Sequence, residues 1–312
     1  MSIKGVRICF VQYAQQQLLK VSDYTYFRLS NKNTLTKNIF CDIMYIKVTI
    51  LFDILLIYIT ENLKGKIMSK IIAVTSGKGG TGKSTVCAGI GYTLAKQGHR
   101  TLIIELDFGL RCLDIIFGIE NNITSDLGDV LNKRKSALDA VTQVPMASNL
   151  NILCAPKTLT SVTAEQIVDI CRSVKKYFDF IIIDTGAGIS SHVFDIVEQA
   201  NLILVISTPD PVCIRDAGLM SDEFYNRGNK SQRLIINKIS KKIIGESLVN
   251  NLDEIIDKIG VQLIGVIPDD FTMTVATGKG NPIPIDSAAL KAFDAISKRL
   301  NGDFVPLTVK TS

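Results

Sequence analysis

The stretch VTSGKGGTGKSTVCAGI, Val74 to Ile90, decides the fold. Within it Gly77–Ser84 reads GKGGTGKS, which fits the pattern G-x-x-x-x-G-K-[ST]. It lies between an apolar run at 70–76 and a helical pattern that begins near Gly82, the strand–loop–helix context the pattern requires. Gly77, Gly79, Gly80 and Gly82 allow backbone angles closed to other residues, so successive N–H groups can turn towards one anion. The helix amino terminus adds the positive end of its dipole. In such a loop Lys83 neutralises the β- and γ-phosphates of a nucleotide, and the Ser84 hydroxyl ligates Mg2+.

Outward from the loop, short runs rich in Ile, Val and Leu alternate with helical patterns, as in a parallel sheet covered by helices. Strands are expected at 70–76, 100–106, 149–155, 178–185, 201–208, 232–238 and 261–268, mostly too continuously apolar to leave one face wet. Helices are expected at about 83–97, 124–132, 163–177, 212–226, 246–258 and 286–300. The reading is an α/β fold with a doubly wound, mostly parallel sheet. No linker, repeat or low-complexity tract divides 68–312, which is expected to form a single domain.

The first 67 residues differ from this body. They carry nine Lys/Arg against four Asp/Glu, whereas 68–312 holds 26 of each, so the net charge of +5 belongs entirely to the amino-terminal segment. A neutral body gives no electrostatic footprint for nucleic acid. The apolar part of the segment, 39–60, is cut by Asp42, Lys47 and Asp53, and its longest uncharged run is seven residues, far short of the roughly 20 that span a bilayer. A signal peptide fits no better, because the apolar run starts far from the amino terminus. Met68-Ser69-Lys70 directly precedes the first clear strand, and Lys64-Gly65-Lys66 is compatible with a purine-rich ribosome-binding site. Translation is therefore expected to start at Met68, and 1–67 to be a non-native or disordered extension. The seven cysteines are scattered and never form CxxC, which argues against a disulfide framework or zinc site and for reduced thiols packed as small apolar residues.

Lys78 stands between Gly77 and Gly79, where it is redundant for its own nucleotide. KGGTGKST resembles the deviant Walker A motif of the MinD/ParA family of P-loop ATPases, in which the early lysine reaches across a nucleotide-sandwich dimer to the partner's phosphates. The resemblance implies that Gly77, Lys78, Gly79, Gly80, Thr81, Gly82, Lys83, Ser84 and Thr85 bind ATP, and that Lys78 and Lys83 act in hydrolysis. IELDFGLRCLDIIFG, 104–118, is similar to the family's first switch segment, D-x-D-x-G-L-R-x-L-D, with Asp107 on the second acidic position, where it would orient or deprotonate the attacking water and serve the Mg2+ site. Glu105 replaces the first aspartate, which leaves Mg2+ geometry there open, and Asp114 reads equally as a helix cap. FDFIIIDTGAGIS, 178–190, ends an apolar strand in Asp184, the Walker B aspartate by resemblance, expected to hold Mg2+ through water. Gly186 and Gly188 would follow the γ-phosphate. By the same resemblance Asn237 reads adenine, Pro268 and Asp269 close over the ring, and Asp216 in STPDPVCIRDA is a partner residue or a cap.

The resemblance covers nearly all of 68–300 and is closer to the MinD branch than to plasmid-partition ATPases. It implies a P-loop NTPase fold like that of nitrogenase iron protein. It also implies an ATPase using ATP and Mg2+, a homodimer formed with ATP, a MinC-like division inhibitor and an ATPase activator as partners, and a role in septum placement. The alternative is a ParA-like ATPase for DNA or plasmid segregation, or for positioning another cell structure. An iron–sulfur carrier lacks cysteines at ligand spacing, and a binding module with degraded catalysis would not turn over ATP. The carboxyl-terminal SKRLNGDFVPLTVKTS contains Gly302 and Pro306, so the amphipathic membrane helix of the MinD branch is expected to be absent. A cytoplasmic location is expected, with peripheral attachment to the cytoplasmic face of the plasma membrane left open.

Overall fold

Strand β1 (Lys70–Thr75) runs directly into the glycine loop, and helix α1 (Lys83–Lys96) leaves it. The computed structural model describes residues 69–109, 111–158, 162–188, 191–198, 200–240, 252–282 and 284–307. The expected extension 1–67 and the expected start at Met68 lie outside the described residues.

After α1 come β2 (Thr101–Glu105), α2 (Leu113–Phe117), α3 (Leu127–Leu131), α4 (Ala137–Ala140), β3 (Thr142–Gln143), β4 (Leu150–Leu153) and α5 (Ala164–Val174). The chain continues through β5 (Phe180–Asp184), α6 (Ser191–Val197), β6 (Leu202–Ser207), α7 (Pro211–Asn226), β7 (Gln232–Ile239), α8 (Leu252–Ile259), β8 (Leu263–Pro268), α9 (Phe271–Gly278) and α10 (Ala288–Asn301). The strands form one sheet in the order β3-β4-β2-β5-β1-β6-β7-β8, parallel throughout except for the antiparallel edge strand β3.

Both faces of the sheet are covered, which is why its strands read as continuous apolar runs. Ile72, Val74, Ile103, Ile182 and Leu204 pack with α1 and α10 on one face. On the other, Ala73, Ile203 and Val205 pack with α6, α7 and α8, and Leu102, Ile104, Ile181 and Ile183 pack with α3 and α5. Alternate residues of a strand thus enter opposite cores, as the period of two dictates.

The path from β1 leads to β2 on one side, whereas the path from β5 crosses β1 to reach β6 on the other. The chain therefore switches direction beside β1, the point at which open α/β sheets bind ligands outside the carboxyl ends of their strands. All seven expected strands are present, and the six expected helices have counterparts, although α8 begins at Leu252, with 246–251 outside the described residues. The unexpected elements α2, α4, α6, α9 and β3 span two to eight residues, too few for a periodic signal. Helix α10 ends at Gly302 in a left-handed cap (φ 97°), and 303–307 are not helical. Among the described residues no helix is long and apolar enough to cross a membrane.

Candidate functional site

The glycine loop owes its shape to positive φ angles at Gly80 (80°) and Gly82 (87°), the second capping α1. A side chain at Gly77 is excluded for another reason: a Cβ there would lie 2.7 Å from Cβ of Asp216, because α7 packs directly on the loop. At Gly79 and Gly80 an added Cβ meets nothing within 4 Å, so this side of the loop is open. The backbone N–H of Gly188 donates to the Ser76 carbonyl at 3.0 Å, tying the segment after β5 to the loop.

Lys83 lies in the first turn of α1, and its Nζ is 3.0 Å from Oδ1 of Asp184, the last residue of β5, which pairs with Val74 of β1 and Glu105 of β2. The two side chains are 6% and 0% exposed. Burial opposes the ammonium charge, but the facing carboxylate more than offsets it, and the Lys83 pKa stands above the ordinary lysine value. The other oxygen of Asp184, Oδ2, and the Thr81 hydroxyl oxygen are buried without a hydrogen-bond partner. Buried oxygens of this kind are costly unless something pairs with them. A hard divalent cation and a phosphate accept such neighbours, so the donor set fits Mg2+ and a polyphosphate.

Asp107 follows β2 and is half-buried. Burial raises its pKa, Lys83 lowers it and Asp184 raises it, so it stands within electrostatic reach of both partners of the buried pair. Burial pushes the pKa of the Cys112 thiol up to about 11, and the nearby Ser84 hydroxyl and Lys83 ammonium oppose that rise. Lys83, Ser84, Asp107 and Asp184 are thus brought to one place.

Glu105 is used differently. Its buried carboxylate accepts the Cys112 and Leu113 N–H groups on Oε1 at 2.8 and 3.0 Å and the Ala155 N–H on Oε2 at 3.2 Å. Burial raises its pKa, and the three N–H donors oppose that shift. It anchors the segment before α2 to the loop after β4, which makes it a scaffold residue. Asp114 is not the α2 cap, which is Cys112; it lies in the first helical turn and pairs with Arg111 at 2.7 Å, both side chains 5% exposed. Asp216 is not a cap either, because Asp210 caps α7 by accepting the Val212 and Cys213 N–H groups at 3.0 Å.

Lys78 lies 3.7 Å from Asp210, with both side chains about half exposed. An exposed pair of this kind contributes about 0–1 kcal/mol, so Lys78 is parked against its own chain and cheaply released. Asn237 is buried and its amide donates to the Thr81 carbonyl at 2.8 Å. Pro268 ends β8, and the N–H of exposed Asp269 donates to the Ile239 carbonyl at 2.8 Å. These three therefore stand at the adjoining carboxyl ends of β7 and β8, with Asn237 touching the phosphate loop.

Sequence reasoning passed over Asp210, the anchoring use of Glu105, the Arg111–Asp114 pair and Lys238, whose Nζ donates to the Gly80 carbonyl at 2.7 Å. Asp210 was legible as an Asp immediately before a first-turn proline. The Arg111–Asp114 pair is local, three residues apart, whereas the uses of Glu105 and Lys238 depend on contacts between segments distant in sequence.

A strand, a glycine loop and a helix, with the loop lysine buried against a strand-end aspartate, define a phosphate-loop nucleotide-binding protein of the α/β class. Residues 72–283 match the family described as the CobQ/CobB/MinD/ParA nucleotide binding domain. The septum site-determining protein MinD of Thermotoga maritima is 34% identical over 246 residues, covering 77% of this chain and 91% of that protein. The MinC:MinD cell division protein complex of Aquifex aeolicus superposes with a TM-score of 0.72 at 30% identity, covering 78% of this chain and 100% of the matched one. The septum site-determining protein MinD of Pyrococcus horikoshii, complexed with Mg-ADP, shares the fold with a TM-score of 0.67 at 24% identity, covering 75% of this chain and 96% of that one. The chain belongs to the MinD/ParA family of nucleotide-binding proteins.

Proposed function

We propose that this chain is a MinD-like ATPase switch. It binds and hydrolyses ATP, dimerises with ATP, and helps place the division septum by recruiting a MinC-like division inhibitor. The observation that carries the chemistry is the buried Lys83–Asp184 pair at the phosphate loop, with Asp184 Oδ2 left unpaired. The division role is supported by kinship with septum site-determining proteins and by the solved complex of one such relative with MinC.

In this reading the N–H groups from Gly77 to Thr85 bind the phosphates, and Lys83, kept charged by Asp184, neutralises the β- and γ-oxygens. Ser84, Asp107 and Asp184 form the acidic and hydroxyl set that would hold Mg2+, which supplies charge neutralisation on the phosphates. Asp107 orients the attacking water, and its raised pKa favours taking up a proton. Lys78 leaves Asp210 and reaches the partner's phosphates, adding positive charge where the transition state develops negative charge. Asn237, Pro268 and Asp269 receive the adenine. Hydrolysis is dimer-dependent and raised by an activator. The protein works in the cytoplasm.

The test is sedimentation velocity of the full chain with Mg-ATP and with Mg-ADP. A dimer in ATP alone is expected, lost in Lys83→Ala. Equal monomer populations in both nucleotides would refute the switch.

A further inference from the structure

Strand β7 carries a register irregularity against β8 between Ile236 and Ile239, and within it Lys238 has φ 59°, in the left-handed region. A lysine seldom adopts this conformation, and bulges of this kind commonly re-aim side chains beside functional sites. In a regular strand the side chains of 237 and 238 would leave opposite faces. Here they reach the same loop: the Asn237 amide donates to the Thr81 carbonyl at 2.8 Å, and the Lys238 ammonium to the Gly80 carbonyl at 2.7 Å. Both also cover Gly82, where an added Cβ would lie 2.4 Å from Asn237 Nδ2 and 3.7 Å from Lys238 Cε.

The consequence follows from peptide geometry. In a trans peptide the carbonyl and the next N–H point in opposite directions. Holding the Gly80 carbonyl towards β7 turns the Thr81 N–H away from β7, and holding the Thr81 carbonyl does the same for the Gly82 N–H. The loop that needs this help is rich in glycine, with positive φ at Gly80 and Gly82, and would otherwise sample many shapes.

We propose that Asn237 and Lys238 form a clamp that positions the phosphate loop. Lys238 is then a positioning residue for polyphosphate binding, and Asn237 serves the loop independently of any contact with a base. The proposal rests on the nucleotide-binding reading. It adds that the bulge in β7 exists to present two consecutive side chains to two consecutive carbonyls.

The test is calorimetric binding of Mg-ATP and of inorganic tripolyphosphate, which has neither base nor ribose, to the full chain and its Asn237→Ala, Lys238→Met, Lys238→Gly and Lys238→Arg variants. The clamp predicts that Lys238→Met weakens both ligands by a similar factor, about tenfold, a change of about 1.4 kcal/mol, and that Asn237→Ala weakens tripolyphosphate by about as much and ATP at least as much. Asn237 is neutral, so its effect on tripolyphosphate cannot be a lost charge. Lys238→Arg should recover most of the affinity. Lys238→Gly should melt no lower than wild type, because it relaxes the φ angle, yet bind tripolyphosphate as weakly as Lys238→Met. If Asn237→Ala weakens ATP alone and the Lys238 variants bind like wild type, the clamp is refuted and Asn237 reads only the base. If the wild-type chain binds neither ligand, the nucleotide-binding reading itself fails, and the clamp with it.

Discussion

Replacing Lys83 by methionine keeps most of the apolar stem and removes the ammonium. Asp184, fully buried, then loses the partner of its Oδ1, and its Oδ2 already has none. Removing one member of a buried ion pair costs about 3–5 kcal/mol, because an uncompensated charge stays behind. With a urea slope of about 3 kcal/mol/M, expected of a chain this long, the unfolding midpoint of the nucleotide-free protein should fall by about 1–1.7 M. The folded pKa of Lys83 is raised above its ordinary 10.5, so its contribution is complete below that pH and is lost only as pH rises through the folded value. A measurement at pH 7 therefore records all of it. Leucine is close to aspartate and asparagine in length, and the double variant Lys83→Met/Asp184→Leu should recover at least half of the loss, since apolar replacements of a buried pair are often neutral. A midpoint within about 0.2 M of wild type for Lys83→Met, or a double variant no more stable than the single one, would refute the claim that this pair is electrostatically coupled in a dry site.

Asp270 caps α9 through the Thr272 and Met273 N–H groups and also accepts from the Ser287 hydroxyl at 2.7 Å and the Ala289 N–H at 3.1 Å, joining α9 to the start of α10. Asp270→Ala should cost about 2–3 kcal/mol in urea unfolding at pH 7. Burial raises its pKa, but these hydrogen bonds hold it well below the ordinary 3.8, so the difference from wild type should shrink as pH falls below 3.8. Glu105→Gln keeps an acceptor for the Cys112 and Leu113 amides but sets an NH2 group against the Ala155 N–H, and should lower stability by about 1–3 kcal/mol in the same assay. Lys78→Ala should leave unfolding within about 1 kcal/mol of wild type, because its pair with Asp210 is exposed, while abolishing turnover that depends on dimerisation.

Most of the sheet was legible because each strand is short, β-branched and apolar on both faces, which only a covered parallel sheet accommodates. The phosphate loop was legible because its glycines, lysine and serine follow one another in an unbroken run between a strand and a helix. Chemistry spread across segments was not. Glu105 reads in the sequence as a replacement for the family's first aspartate that leaves Mg2+ geometry open, yet its carboxylate is occupied by amides seven, eight and fifty residues away. Asp114 reads equally as a helix cap, and Asp216 as a partner residue or a cap, yet the N-cap position of α2 is Cys112, and Asp210 caps α7. Lys238 carries no signal, since its role arises from a positive φ inside an apolar strand, which composition cannot announce. The short helices α2 and α9 sit beside the site and meet through Gly118 and Gly280, where neither could carry a Cβ without a clash.

In the proposed switch two lysines of one loop take two roles, Lys83 with its own nucleotide and Lys78 with that of a second copy. The most direct test is the specific ATPase rate of the full chain measured against protein concentration, for the wild type and for Lys78→Ala. A wild-type rate per chain that rises with concentration and then saturates is expected, with Lys78→Ala binding Mg-ATP normally but showing no rise. A rate per chain independent of concentration and unchanged by Lys78→Ala would contradict it.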